Sequence, residues 1–252
     1  MHSASVAVLT RSERRGFLFR NHTRQITFEQ DPAVLVGLPR WSPDGSRITF
    51  YTDSSREGTQ SGQWLVNPDG TNLRYLVDGA WAEWSSDGQW LYYSTAKPGV
   101  LHIEKIAKDG GDQVTVRTDN AISPVVPPGE DAIYYVVLAH AGLEIRVARP
   151  ENGPSELLYR VPPSRIAPEE RFNFQPSISP DGSTLALFFR DGHGTNLFAL
   201  PTSGGPLRRL TDFGDRRVFI VRRVSWSSDG KFLFAAVGEA RQDVVLLDGL
   251  VP

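Results

Sequence analysis

Four carboxylates, Asp53, Glu57, Glu83 and Asp212, are the residues here with which a hydrolytic site could be built. A pair of such acids cleaves a glycoside when one protonates the leaving group and the other attacks or activates water. The separation, about 5 to 9.5 Å, decides the chemistry, and sequence spacing does not set it. The five histidines, His2, His22, His102, His140 and His193, include no two at metal-ligand spacing on one element. His140 and His193 fall in corresponding loops and could share a rim, but solvated loop residues are the simpler reading. There is no cysteine, which excludes disulfides, thiolate metal ligands and cysteine nucleophiles. The sequence has no Gly-x-Ser-x-Gly nucleophile elbow and no phosphate-cradling glycine loop. No cofactor and no metal is expected.

The elements that must carry these residues are set by a repeat. Trp41-Ser-Pro-Asp-Gly45 recurs as Trp84-Ser-Ser-Asp-Gly88, Ile178-Ser-Pro-Asp-Gly182 and Trp226-Ser-Ser-Asp-Gly230, with a degenerate copy from Val126 to Asp131. The anchors at 41, 84, 126, 178 and 226 lie 43, 42, 52 and 48 residues apart, the period of a four-stranded propeller blade. Within each copy, Asp bonds neighbouring backbone and Gly accepts the left-handed conformation that closes the turn. Asp44, Asp87, Asp181 and Asp229 are therefore turn formers. An alternating apolar run follows every anchor: Ile48–Tyr51, Leu91–Tyr93, Ile133–Val136, Leu185–Phe188 and Phe232–Ala235. A third and a fourth strand, joined by a glycine turn such as Asp69-Gly70 or Gly204-Gly205, complete the unit. A β-sandwich would show strands at similar spacing but no such self-similarity.

The fold class is all-β: a propeller of four-stranded antiparallel blades forming one domain over residues 1–252. Six units of 42 residues fill the 252, which predicts six blades. The first, at about residues 4–30, is incomplete, with strand-like runs at 5–9, 16–20 and 24–28 and no inner strand. The last ends with runs at 232–237 and 243–247. Either an N-terminal strand closes the ring or a longer protein supplies the missing one.

Composition narrows the partners. With 27 basic and 29 acidic residues, net charge −2, the chain lacks the footprint of a nucleic-acid binder. No apolar run approaches the length that spans a membrane. Nothing at the start looks like a signal peptide: the apolar run from Ala4 to Thr10 is short, and Arg11, Arg14 and Arg15 follow it.

The Ser-Pro-Asp-Gly repeats, with Leu210-Thr211 at a blade end, resemble the TolB-type propellers over about residues 38–250. The resemblance implies a protein-binding platform, either free-standing in the periplasm or the C-terminal sensory part of a bacterial regulator, kinase or peptidase. It implies a periplasmic location, whereas a complete chain without a signal peptide would be cytoplasmic. The repeat residues themselves build blades and form no site.

Candidate binding residues are instead those of the rim and channel. Arg40 and Glu83 precede Trp41 and Trp84 at matching positions of adjacent units and are expected to pair. Asp53 and Arg56 belong to a polar loop between second and third strands. Arg171, Phe172, Phe213, Arg216, Arg217 and Arg223 fall on the two long connections into inner strands, 165–174 and 212–223. Arginine and aromatic residues are enriched at protein interfaces. The expected partner is a protein or peptide segment at one face of the ring. The alternative is a carbohydrate-active or other hydrolytic enzyme using carboxylates at the central channel.

Overall fold

The computed structural model describes residues 7–9, 23–27, 31, 33–54, 60–97, 99–140, 142–166, 171–172, 174–191, 194–214, 216–220 and 223–239. The chain forms two compact units, residues 1–139 with 145–157 and residues 140–144 with 158–252. In the first, β1 (Ala7–Leu9) pairs antiparallel with β2 (Thr23–Gln25). Strands β3 (Val34–Trp41), β4 (Ile48–Ser54), β5 (Gly62–Val66) and β6 (Arg74–Val77) form a four-stranded sheet in chain order, the Trp41 blade. The Trp84 blade repeats it with β7 (Ala80–Trp84), β8 (Trp90–Lys97), β9 (Val100–Ala107) and β10 (Gln113–Arg117). The Val126 blade does so with β11 (Ala121–Val125), β12 (Ile133–Ala139), β13 (Gly142–Ala148) and β14 (Ser155–Val161), and the division between units passes through its outer strands.

The second unit holds the Ile178 blade: β15 (Ser177–Ile178), β16 (Thr184–Asp191), β17 (Gly194–Pro201) and β18 (Arg208–Arg209). In the Trp226 repeat, β19 (Val218–Ile220), β20 (Ser225–Trp226), β21 (Leu233–Phe234) and β22 (Val237–Glu239) make two short ladders, β19 with β22 and β20 with β21. Four blades thus have all four strands among the described residues, fewer than the six suggested by length. The runs expected at 16–20 and 243–247 lie outside the described residues.

The four Ser-x-Asp-Gly anchor turns are held by the same hydrogen bonds. The Ser42 hydroxyl donates to Asp44 at 2.6 Å and accepts the Arg47 N–H at 2.9 Å, while the Gly45 N–H closes on the Ser42 carbonyl at 2.9 Å. Ser85 with Asp87, Ser179 with Asp181 and Ser227 with Asp229 repeat the hydroxyl–carboxylate contact at 2.5–2.6 Å. The closing glycine is left-handed throughout, as at Gly45 with φ 70°.

Each inner strand of the first unit carries a bulge three residues before its anchor. Leu38, Trp81 and Ser123 have φ of 55°, 52° and 53°, and one extra residue enters the ladder there. Proline follows at Pro39 and Pro124, where a missing N–H costs the sheet nothing because the bulge already interrupts its bonding.

The cores lie between blades. Leu65 and Val77 of the Trp41 blade pack with Trp84, Leu91, Tyr93 and Ile106 of the next. Tyr92 and Ile103 then meet Ala121, Ile133 and Tyr135 of the Val126 blade. Buried polar links run the same way: the Gln63 amide donates to the Gly79 carbonyl at 3.2 Å, and the Ser123 N–H donates to the Ser94 hydroxyl at 3.0 Å.

Candidate functional site

In the first unit, Arg40 and Glu83 come together as their matching positions require. Nε of Arg40 lies 3.8 Å from Oε2 of Glu83, both side chains 19% exposed, and an Arg40 Nη1 donates to the Pro39 carbonyl at 2.8 Å. The bulge just before them orients both residues, since an inserted residue re-aims the side chains that follow it. Asp53 is exposed near the end of β4, across the ladder from Leu35. Arg56, like Glu57, lies outside the described residues.

In the second unit, the two long connections reach the same end of their blades. Arg171 Nη2 donates to the carbonyl of Gly142, the first residue of a third strand, at 2.7 Å. The Arg216 carbonyl lies against Gly194, the first residue of the next third strand, so closely that a Cβ there would approach to 2.6 Å. The Arg216 N–H donates to the Phe213 carbonyl, and the Phe213 N–H donates to the Asn196 carboxamide oxygen, which fixes the 213–216 turn against β17. Asn196 is itself buried and accepts from the Thr211 hydroxyl at 3.0 Å.

That turn presents Arg216 and Arg217 to solvent, followed by Phe219 at 45% exposure. Phe172 is 47% exposed on the other connection, while Phe213 and Arg223 are half-buried. The rest of the arginine–aromatic concentration is structural. Phe174 is buried and lies 5.8 Å from the Phe188 ring. Arg165 caps a stack, with its guanidinium 5.2 Å from the Phe189 ring and 5.7 Å from that of Phe198. Phe189 and Phe198 are themselves stacked at 4.1 Å.

Two of the candidate carboxylates are held by arginine: Glu83 by Arg40, and Asp212 by Arg209 at 2.7 Å. Among the described residues no cluster of three or more metal-ligating side chains occurs, and no helix is long and apolar enough to cross a membrane. The repeat aspartates are held down by their turns. Ser42 and Ser46 hold Asp44, and Ser179 and Ser183 hold Asp181, each at about 2, so both are fully ionised turn fasteners.

The chain matches TolB from Acinetobacter baumannii at a TM-score of 0.62 and 17% identity, over 86% of its own length and 57% of that chain. It matches a protein assigned as TolB from Agrobacterium tumefaciens at a TM-score of 0.58 and 17% identity, over 87% of its own length and 94% of the other. Its fold is that of the TolB-type propellers. A puromycin-hydrolysing peptidase from Mycobacterium tuberculosis is also similar to this TolB-type chain, at a TM-score of 0.60 and 15% identity, over 86% of the chain but 38% of the peptidase. No family model matches the sequence, and no curated protein matches it significantly.

The spacing of arginines and phenylalanines singled out these two connections but did not separate their exposed members from their buried ones. The signal that could have done so is position. Phe174 stands three residues before Ser177, at the entry to the inner strand, and is buried against the Phe188 ring.

Proposed function

We propose that this chain is a non-enzymatic propeller scaffold, a single domain of six units, that binds a protein or peptide segment at one face of the ring. The observation that carries the reading is the run Arg216-Arg217-Val218-Phe219, which offers two exposed guanidinium groups beside a phenylalanine 45% exposed. Asn196 anchors the turn before it, so little order is lost when a ligand docks. The pairing of Glu83 with Arg40 and of Asp212 with Arg209 supports binding over hydrolysis, because each of these candidate carboxylates is already engaged by an arginine of its own chain. The TolB-type fold supports the same reading, although the likeness to a peptidase keeps hydrolysis as the second hypothesis.

The test is selection of a phage-displayed random peptide library on the immobilised chain, followed by calorimetry with the selected peptides. Replacing Arg216, Arg217 and Phe219 together by alanine is expected to weaken binding at least about tenfold while leaving the melting temperature unchanged, since a few arginine and aromatic anchors dominate such interfaces. Selected peptides that bind the triple variant equally well would remove this rim from the function. Cleavage of the peptides by the wild-type chain would favour the hydrolase.

A further inference from the structure

Asn152-Gly153 is the one Asn-Gly pair in the sequence, and it lies in the turn that joins the outer strands β13 and β14 of the Val126 blade. Asn-Gly is the dipeptide in which asparagine deamidates most readily, because glycine puts no side chain in the way. The glycine nitrogen attacks the asparagine Cγ, the Cγ–Nδ2 bond breaks, and ammonia leaves. Water then opens the resulting succinimide at either carbonyl. One product is aspartate. The other is isoaspartate, whose backbone runs through Cγ and is one methylene longer.

The turn is packed for the reactive pair. A Cβ on Gly153 would come within 2.9 Å of the Pro150 ring and 3.1 Å of its carbonyl oxygen. The Asn152 side chain is exposed and makes no hydrogen bond among the described residues. Nothing holds its carboxamide away from the nitrogen beside it. The anchor turns also place glycine after a side-chain carbonyl group, but there the group is fastened. Asp44 is held by Ser42 and Ser46 and is ionised, and an ionised carboxylate resists attack.

What restrains Asn152 is the backbone around it. The Gly153 N–H donates to the Pro150 carbonyl at 2.8 Å, which engages the attacking nitrogen. The Trp84 blade secures the turn on both sides of Asn152. Arg117 of β10 donates from Nη1 to the Gly153 carbonyl at 2.6 Å. Its guanidinium is itself fixed, 5.1 Å from the ring of buried Tyr135 and 3.3 Å from Asp119. On the other side, Glu151 accepts from the Tyr92 hydroxyl of β8 and pairs with Lys105 of β9. The Glu151 N–H donates to Asp131 at 3.3 Å. These contacts tie the outer part of one blade to the next.

We propose that Asn152 is a modification site at which deamidation, gated by Arg117, permanently loosens this tie between blades. Attack requires a local opening that breaks the Gly153–Pro150 bond, and the hold of Arg117 on the Gly153 carbonyl sets how often the turn opens. Isoaspartate lengthens the chain between Glu151 and Gly153, so the two no longer reach Lys105 and Arg117 together. The new carboxylate also adds a charge of the same sign as adjacent Glu151 and nearby Asp131.

The test incubates the full chain in mildly alkaline buffer and follows each asparagine by peptide mass, separating the aspartate and isoaspartate products. Asn152 is expected to deamidate faster than any other asparagine, yet more slowly in the native chain than in the chain unfolded in urea. Arg117→Ala should speed the native reaction about tenfold, the loss of one charge-assisted hydrogen bond. Arg117→Lys keeps the charge without the planar fork and should give a smaller acceleration. If Arg117→Ala does not fold, Arg117→Lys decides the gate. The loosening is read separately: the isoaspartate form should melt below both the fresh chain and Asn152→Asp, which adds the charge without the methylene. Equal rates in native and unfolded chains, or no acceleration in a folded Arg117 variant, would overturn the gate. Another asparagine reacting first would overturn the site, and an isoaspartate form that melts with Asn152→Asp would overturn the loosening.

Discussion

The indole Nε1 of Trp84 donates to the main-chain carbonyl of Arg40, 3.4 Å away in the preceding blade. Trp226 makes the same bond to Ser177 at 3.3 Å. The anchor tryptophan therefore does more than end an inner strand. It joins each blade to the one before, at the residue just ahead of that blade's own anchor. Trp41 occupies the corresponding position in the Trp41 blade and is 42% exposed, against 4% for Trp84.

The burial difference predicts an order of stability. Trp84→Ala opens an inter-blade core and is expected to cost about 3–5 kcal/mol, the range for removing a large buried aromatic side chain. Trp41→Ala should cost less than half as much, because much of its surface stays in water in the native state. Urea unfolding of both variants measures this. Equal losses would mean that Trp41 is covered in solution.

A second expectation concerns acid. The carboxyls of Asp44 and Asp181 are held at about 2, below the ordinary 3.8, first by the Ser42 and Ser179 hydroxyls. A depressed carboxyl stabilises the native state above its unfolded value, and that contribution is lost as pH falls from about 4 towards 2. Thermal unfolding should show the midpoint falling across this window. Ser42→Ala combined with Ser179→Ala should lower the midpoint at pH 6 and flatten the fall. An unchanged slope in the double variant would place the acid sensitivity elsewhere.

These turns were legible in the sequence because all their determinants are local: Ser, Asp and Gly act on one another within five residues. The strand meander was legible for the same reason. Contacts between blades were not. Arg47 and Arg74 converge on the Lys108 carbonyl from 61 and 34 residues away, and no spacing rule announces such a pair. The bulges at Leu38, Trp81 and Ser123 also escaped, although proline at 39 and 124, inside an otherwise strand-like run, was a usable sign. Arg40 and Glu83 were the exception. Their equivalent positions in successive repeats translate directly into neighbouring positions in space, which is why their pairing could be read from the period. The two long connections were half legible: the sequence singled out their arginines and phenylalanines, but burial of Phe174 and stacking of Arg165 depend on the packing around β16 and β17.

The Arg40–Glu83 pair can be weighed by a double-mutant cycle. Each side chain is 19% exposed, between the surface and the interior. A coupling energy of about 0.5–3 kcal/mol is expected between Arg40→Ala and Glu83→Ala, the range for residues in contact. It should shrink in 1 M salt only partly, since a partly buried pair is less screened than a surface one. Zero coupling would return Glu83 to the candidate carboxylates.

Two glycines separate backbone conformation from space. Gly45 closes an anchor turn at φ 70°, and a Cβ added there would meet nothing within 4 Å. Gly45→Ala should cost only the left-handed penalty, about 1–2 kcal/mol. Gly79 has φ 157°, and its added Cβ would come within 2.4 Å of the Tyr93 ring and 2.8 Å of the Ser94 carbonyl. Tyr93 cannot easily move aside, because it is fully buried and its hydroxyl donates to buried Glu104 at 3.0 Å. Gly79→Ala should therefore destabilise the chain more than Gly45→Ala in urea unfolding. Gly79→Ala should also lower the signal of the buried tyrosines in near-ultraviolet circular dichroism, a change Gly45→Ala has no reason to produce. If the two variants unfold at the same urea concentration, the Tyr93 ring has room to shift and the bond to Glu104 does not fix it.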